Sequence, residues 1–338
     1  MSSSSNMPAA TVNRPMPRKR LSAFPFVLIA IAVFGCILPT AVNSPLLLTL
    51  LTSATINGIL ATAVGLLIRH SGLVSFGHAA FFGAAAYVMV LALERTGISV
   101  ETVIIAAIVL PTICAFGLAF VMLRVSGVAF SMLTLAVAQA CYELVMRWRE
   151  LANGEDGLAV KLPNRVFGLA VGVFQRPDSM FLICWIILMI VLLGLWFLGR
   201  SHFGTLTLAI QDNEERARFI GYETTVPRAI IFALSAAVAA TAGVLFSLYN
   251  GFVTPDTLHW TLSGDALIMA IIGGARSVWG PALGAVVFFF IRDAAGGYTE
   301  HWPALIGITL ILVTVAMPTG LSGAFALVRT RFGGARNG

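Results

Sequence analysis

The residue types able to do chemistry in this chain are few, and their spacing argues against catalysis. Five histidines, His70, His78, His202, His259 and His301, are scattered and form no H-E-x-x-H or related metal spacing. The two lysines are Lys19, in a polar N-terminal stretch, and Lys161, in Ala159-Val160-Lys161-Leu162. Neither belongs to G-x-x-x-x-G-K-[ST], the loop that brings backbone amides and a lysine to nucleotide phosphates, so any ATP hydrolysis must come from another polypeptide. Cys36, Cys114, Cys141 and Cys184 each stand alone in a different apolar run, which yields neither a disulfide framework nor a metal cluster. No cofactor or metal is expected in this chain.

One string does have a physical logic: Asp212-Asn213-Glu214-Glu215-Arg216-Ala217-Arg218-Phe219-Ile220-Gly221. Asp212 reads as a helix N-cap with Glu215 three residues on, in a capping-box arrangement. Acids then lie at the positive end of the helix dipole and Arg216 and Arg218 near its negative end. Asp212 with Arg216 and Glu214 with Arg218 are i, i+4 pairs of favourable orientation, and Gly221 supplies the stop. The expected product is a helix of about eight residues, roughly 12 Å long. So short a helix is marginal alone, so it packs against the rest of its own chain or enters a groove on a cytoplasmic ATPase. The pattern by itself does not choose.

Six other polar residues fall in or beside apolar segments, where they are costly and mark solute pathways or interhelical hydrogen bonds. They are Asn57, Ser75, His78, Thr134, Gln139 and Glu143, with Glu143 near enough to Arg147 to pair with it.

The elements that must position these residues are membrane helices. Of 338 residues, 58% are hydrophobic and 11% charged, with a mean hydropathy of +0.92, whereas soluble domains carry about 25% charged residues. Apolar runs cover 24–42, 46–68, 79–93, 102–123, 125–146, 181–198, 229–249, 265–275, 279–291 and 303–321. Crossing the hydrocarbon core takes about 20 helical residues, so these are about ten transmembrane or half-membrane helices in an all-α integral membrane protein. The net charge of +6 is spread along the chain with no basic stripe on a soluble fold, which excludes a nucleic-acid partner.

Most of the 21 lysines and arginines fall on one side if the N-terminus starts in the cytoplasm, which places both termini and the charged island 200–228 inside. The basic stretch before residue 24 resembles a signal n-region but lacks a persuasive cleavage site, so 1–23 reads as a disordered cytoplasmic tail before an uncleaved anchor. The membrane domain then covers 24–322 and a second cytoplasmic tail 323–338. The outer loop 147–178, with five basic and four acidic residues, reads as solvated, with docking of an external partner as the alternative. Two stretches, 69–78 and 273–281, break helical regularity at membrane depth, which is tolerated where backbone is buried in protein or lines a polar cavity. Their loose G-x-x-S similarity also fits five-plus-five inverted repeats, as in ion-coupled secondary transporters.

Several strings together resemble the M-type permease subunit of branched-chain amino-acid type ABC importers. They are Gly72-Leu73-Val74-Ser75-Phe76-Gly77-His78-Ala79-Ala80-Phe81-Phe82-Gly83, Ser131-Met132-Leu133-Thr134-Leu135-Ala136, the island with Gly221-Tyr222, Phe252-Val253-Thr254-Pro255-Asp256, Gly273-Gly274, and Ser277-Val278-Trp279-Gly280-Pro281-Ala282-Leu283-Gly284-Ala285. The resemblance implies a type II-like importer permease of the bacterial inner membrane. It pairs this chain with an H-type permease, two cytoplasmic ATP-binding subunits that hold ATP and Mg, and a periplasmic solute-binding protein. It makes the island the coupling segment. Ala152-Asn153-Gly154-Glu155-Asp156-Gly157 departs from the usual pattern, and related importers carry urea, short amides or aromatic acids, so the solute stays open.

Overall fold

The computed structural model describes residues 24–42, 44–163, 165–297, 301–317 and 319–323. The tails expected over 1–23 and from 324 onward lie outside the described residues. In chain order the helices are α1 (Phe24–Ala41), α2 (Pro45–Ser71), α3 (His78–Arg95), α4 (Val100–Met122), α5 (Gly127–Arg147), α6 (Arg149–Ala152), α7 (Gly172–Gln175), α8 (Pro177–Arg200), α9 (His202–Asp212), α10 (Glu214–Phe219), α11 (Thr225–Asn250), α12 (Trp260–Gly273), α13 (Gly280–Gly296) and α14 (Trp302–Ala316).

All ten apolar runs fold as helices, namely α1 to α5, α8 and α11 to α14. By length and composition, six helical stretches among the described residues suffice to cross a membrane: α2, α4, α5, α8, α11 and a C-terminal one that begins at Pro303. α12 has 14 residues, about 21 Å at 1.5 Å per residue, which is short of the roughly 30 Å hydrocarbon core.

α11 forms the centre, packed by α2, α3 and α4, while α12 and α13 pack on each other and on α2. Its sequence Ala236, Ala239, Ala240, Ala242, Gly243 keeps that surface thin, and all of these residues are buried. A Cβ at Gly243 would collide with the Phe82 carbonyl oxygen of α3, so only glycine permits this approach; close helix contacts of this kind favour small residues. Phe81 and Phe130 meet Phe232 edge-on at 5.6 and 6.0 Å between ring centroids, which ties α3 and α5 to α11.

The loop 147–178, read as solvated, is mostly exposed and carries short elements of its own. It contains α6, a single 3-10 turn at Gly154–Asp156, and β1 (Leu158–Ala159), β2 (Arg165–Val166) and β3 (Leu169–Ala170). β1 pairs antiparallel with β4 (Phe252–Val253), aligning Leu158 with Val253, and β2 pairs with β3. Lys161 Nζ reaches Glu94 Oε1 at 3.0 Å. The fold is all-α as expected, with two short ladders of two-residue strands that satisfy backbone groups of segments too short to coil into helices.

The two broken stretches resolve alike. Between α2 and α3, Ser75 Oγ accepts from the Gly77 amide at 3.1 Å; between α12 and α13, Ser277 Oγ accepts from the Gly280 amide at 2.7 Å.

Candidate functional site

The island 200–228 folds as two helices meeting at a corner. Ser201 caps α9 by accepting from the Gly204 amide at 3.0 Å, and His70 Nδ1 joins Thr207 Oγ1 at 2.8 Å, fastening α9 to the end of α2. Asp212 is the last residue of α9, so it does not start the second helix. Asn213 does: its Oδ1 accepts from the Arg216 amide at 2.8 Å and its backbone is extended. Asparagine ranks with aspartate as an N-cap, and the residue one place later won because Asp212 is already committed to α9. The capping box through Glu215 is absent with it, and among the described residues no ion pair joins Asp212 to Arg216.

The second expected pair is present and is part of something larger. Arg218 Nη2 donates to Glu214 Oε1 at 2.7 Å, and Thr224 Oγ1 donates to the same oxygen at 3.1 Å. Arg218 Nε donates to Thr224 Oγ1 at 3.0 Å. The other carboxylate oxygen, Glu214 Oε2, takes Nη1 of the buried Arg228 at 2.7 Å. Glu214 thus holds α10 to the start of α11. Thr224 and Arg228 lie outside the capping pattern, and only their position at the end of the charged island hinted at them.

The far end of α10 is also defined. The Gly221 amide donates to Arg218 O at 2.9 Å and the Tyr222 amide to Ala217 O at 3.0 Å, with Gly221 at φ +90. This is a Schellman stop, which needs a left-handed residue at that place. It leaves Phe219 89%, Ile220 68% and Tyr222 53% exposed. A groove of about 530 Å³ lies beside them, lined by Phe203, Leu206 and Ala209 of α9 and by Ala217, Ile220 and Tyr222. Asp212, Glu215 and Arg216 are exposed, whereas Ala217 is buried. The corner therefore presents apolar side chains next to the exposed acids Asp212 and Glu215, on a base that its internal ion pairs hold in shape.

The pathway candidates separate into three places. Ser75, His78 and Thr134 are fully buried and line none of the cavities described below. His78 Nε2 bonds to Ser235 Oγ, which donates to Ala63 O at 2.8 Å. Thr134 Oγ1 accepts from the Phe76 amide at 3.1 Å, and Ser263 Oγ accepts from the Ala79 amide at 2.7 Å. These side chains satisfy the backbone where α2 gives way to α3. Gln139 and Glu143 are half-buried on α5; Gln139 Nε2 donates to Glu143 Oε1 and Arg147 Nε to Glu143 Oε2, both at 3.3 Å.

Asn57 lines a separate cavity of about 310 Å³ together with Tyr249, Asp256, Asp265, Phe289 and Arg292, among others. It lies toward the N-terminal half of α2, away from the end that α9 grips. Asp265 had been legible only as the edge of an apolar run; a lone carboxylate at such an edge was the available signal.

The chain matches the family described as branched-chain amino acid transport system / permease component over residues 46–314. It is 25% identical over 283 residues to the high-affinity branched-chain amino acid transport system permease protein LivM of Salmonella typhimurium, which covers 78% of this chain and 67% of that protein. It is 25% identical over 266 residues to LivH, the corresponding permease protein LivH of the same organism, covering 75% of this chain and 86% of LivH. The autoinducer 2 import system permease protein LsrC of Salmonella paratyphi B is 33% identical over 128 residues, 35% of this chain and 37% of LsrC. No solved structure gives a significant match. A match over most of the chain, on a bundle of apolar helices, means that this protein belongs to the branched-chain amino-acid transport permease family and is a multi-pass protein of the inner membrane.

Proposed function

We propose that this chain is the M-type permease subunit of an ATP-driven importer and forms half of its translocation path beside an H-type permease. The other half is suggested by the similarity to both LivM and LivH. The importer has two ATP-binding subunits, which hold ATP and Mg; one of them docks on the α9–α10 corner of this chain from the cytoplasm, and a periplasmic binding protein delivers the solute. The solute is a branched-chain amino acid or a related small molecule such as urea, an amide or an aromatic acid. The chain itself carries no ATPase site and is not an enzyme.

The observation that carries this reading is the braced corner. Force from an ATPase must pass through a rigid element, and Glu214 links α10 through Arg228 to α11, the helix at the centre of the core. Phe219, Ile220 and Tyr222 provide the apolar anchors that protein interfaces use as hot spots, and exposed Glu215 stands beside them. Asn213, Glu214, Ala217, Arg218 and Gly221 shape the corner; Asp212, Glu215, Arg216 and Ile220 face the partner.

The test is co-purification of the tagged chain with its co-expressed partners, using wild type, Glu215→Lys and Phe219→Ala. Wild type should bring down an ATPase and both variants less of it, with uptake that requires ATP. Wild type that recovers no ATPase, or uptake by the chain alone driven by an ion gradient, overturns the proposal in favour of a secondary transporter.

A further inference from the structure

Arginines stand on three segments that come together on the side of the bundle where α9 grips α2. Arg69 is in the last turn of α2 and Arg200 in the last turn of α8, and Arg276 is exposed in the link between α12 and α13. Arg69 and Ser277, the residue after Arg276, border one small crevice with Leu195 of α8 and Val278. A Cβ at Gly199, the residue before Arg200, would stand 3.8 Å from Arg69 Nη2. The three arginines thus border one patch of surface. Arg69 is half-buried, yet among the described residues its guanidinium donates no hydrogen bond and forms no ion pair. Arg200 lies over the Trp196 ring at 4.5 Å, and tryptophan at a helix end marks headgroup depth.

The chain provides no counter-ion at this place. α2, the stretch 179–211 and the link 274–279 contain no Asp or Glu, and neither do residues 1–23 or 324–338. On this side the acids are Asp212, Glu214, Glu215 and Glu223, all at or past the far end of α9. A cation at the end of a membrane helix is costly when nothing pairs with it. The exposed residues Ile186, Ile190 and Phe197 of α8 recur at helical spacing on one stripe that leads to Arg200. The basic patch is therefore continuous with an apolar surface that faces lipid.

From this arrangement we infer that the patch binds the phosphodiester of an anionic phospholipid. The Arg69 fork donates to the phosphate oxygens, Arg200 and Arg276 add positive charge at headgroup depth, and an acyl chain lies along Ile190 and Phe197. Basic pockets between membrane helices hold anionic headgroups in this way. A headgroup without its own cation, such as that of phosphatidylglycerol, fits this patch. The ammonium of phosphatidylethanolamine would meet three arginines and no acid. His70, next to Arg69, is bonded to Thr207 of α9, which makes the leaflet the one on the side of the α9–α10 corner. This goes beyond the importer reading and does not depend on which solute is carried.

The experiment uses the full-length chain, purified with its co-expressed partners and placed in nanodiscs of phosphatidylethanolamine with a minor fraction of phosphatidylglycerol. Native mass spectrometry counts the lipids retained on release into detergent, and titration with phosphatidylglycerol gives the affinity. Wild type should keep phosphatidylglycerol in preference to phosphatidylethanolamine. Arg69→Gln should weaken its binding by about tenfold, the effect of one charge-assisted contact. Arg276→Gln should weaken it by about fivefold, the effect of one basic residue at an anionic surface. Arg124→Gln, at an exposed arginine just past α4, should bind as wild type does. Inorganic phosphate and glycerol 3-phosphate should not displace the lipid.

Equal retention of the two lipids, or wild-type affinity in both Arg69→Gln and Arg276→Gln, overturns the site. Because Arg276 is exposed in a loop, its variant reads the site even where Arg69→Gln lowers the thermal midpoint. An equal loss in Arg124→Gln reduces the patch to diffuse surface charge, and displacement by inorganic phosphate makes it a site for a free anion; either result overturns the lipid assignment. Retention by the chain alone that disappears once ATP-binding subunits are bound gives Arg69 a protein acid as its partner, and overturns it too. Absence of ATP-driven uptake overturns the importer reading and leaves the lipid site standing.

Discussion

Glu214 and Arg228 are 14 residues apart and meet at 2.7 Å across the turn that joins α10 to α11. Arg228 lies in the first turn of α11, where the positive end of the helix dipole disfavours a cation, and its side chain is 7% exposed. The Glu214 carboxylate answers both problems, because it neutralises the guanidinium and adds negative charge at that helix end. The ion pair makes the corner and the central helix one mechanical unit.

Glu214→Ala should therefore loosen the corner. Removing one partner of a buried pair costs about 3–5 kcal/mol; because Glu214 is 30% exposed, solvent screening reduces this to about 1–3 kcal/mol. Expected results are a lower thermal midpoint in detergent and faster tryptic cleavage at Arg216 and Arg218. Glu215→Ala, at an exposed position outside the network, should change neither. An E214A protein as protease-resistant as wild type would show that the pair does not brace the corner.

Gly221→Val should misdirect Tyr222. A φ of +90 is strained for any residue with a Cβ and worst for a β-branched one, at about 1–2 kcal/mol. Weaker ATPase recovery in pull-downs, with a thermal midpoint lowered by only a few degrees, is the expected outcome. Undiminished recovery would place the interface elsewhere on the island.

Gly243→Ala tests the closeness of α3 and α11. Overpacking a tight contact costs about 1–3 kcal/mol, so this variant should unfold at a lower temperature. Gly194→Ala on α8 is the matched comparison, since a Cβ there meets nothing within 4 Å. It should leave stability unchanged or raise it by up to about 1 kcal/mol through helix propensity. Equal midpoints for the two variants would argue against the close approach.

The sidedness can be read with single cysteines on a cysteine-free background. Glu215→Cys should resist a membrane-impermeant maleimide in intact spheroplasts and react after lysis, while Glu155→Cys in the outer cap should react in both. The reverse pattern would invert the orientation drawn from the positive-inside distribution.

Long apolar runs need little context: twenty apolar residues in a bilayer have few options besides a helix, so all ten runs and the two breaks between them were legible in order. Family membership was legible for a related reason, because strings such as Gly72 to Gly83 retain their pattern along the chain. The second half of the island was partly legible, since Glu214 with Arg218 and the Gly221 stop are local, i to i+4 or closer. Asn213 was missed because Asp212 could serve either helix, and only the packing of α9 against α2 commits it to the first. The Glu214–Arg228 pair and the Ser235 bond to His78 join residues 14 and 157 positions apart, beyond any local pattern. The facing charges of Asp265 and Arg292 likewise belong to different helices. The sequence by itself determined the ten apolar helices, their order and the family, because those follow from local hydrophobicity and short motifs. Only the tertiary structure decided which polar residues brace the corner, which seal a broken backbone and which share a cavity, because burial and partners are properties of the packed bundle.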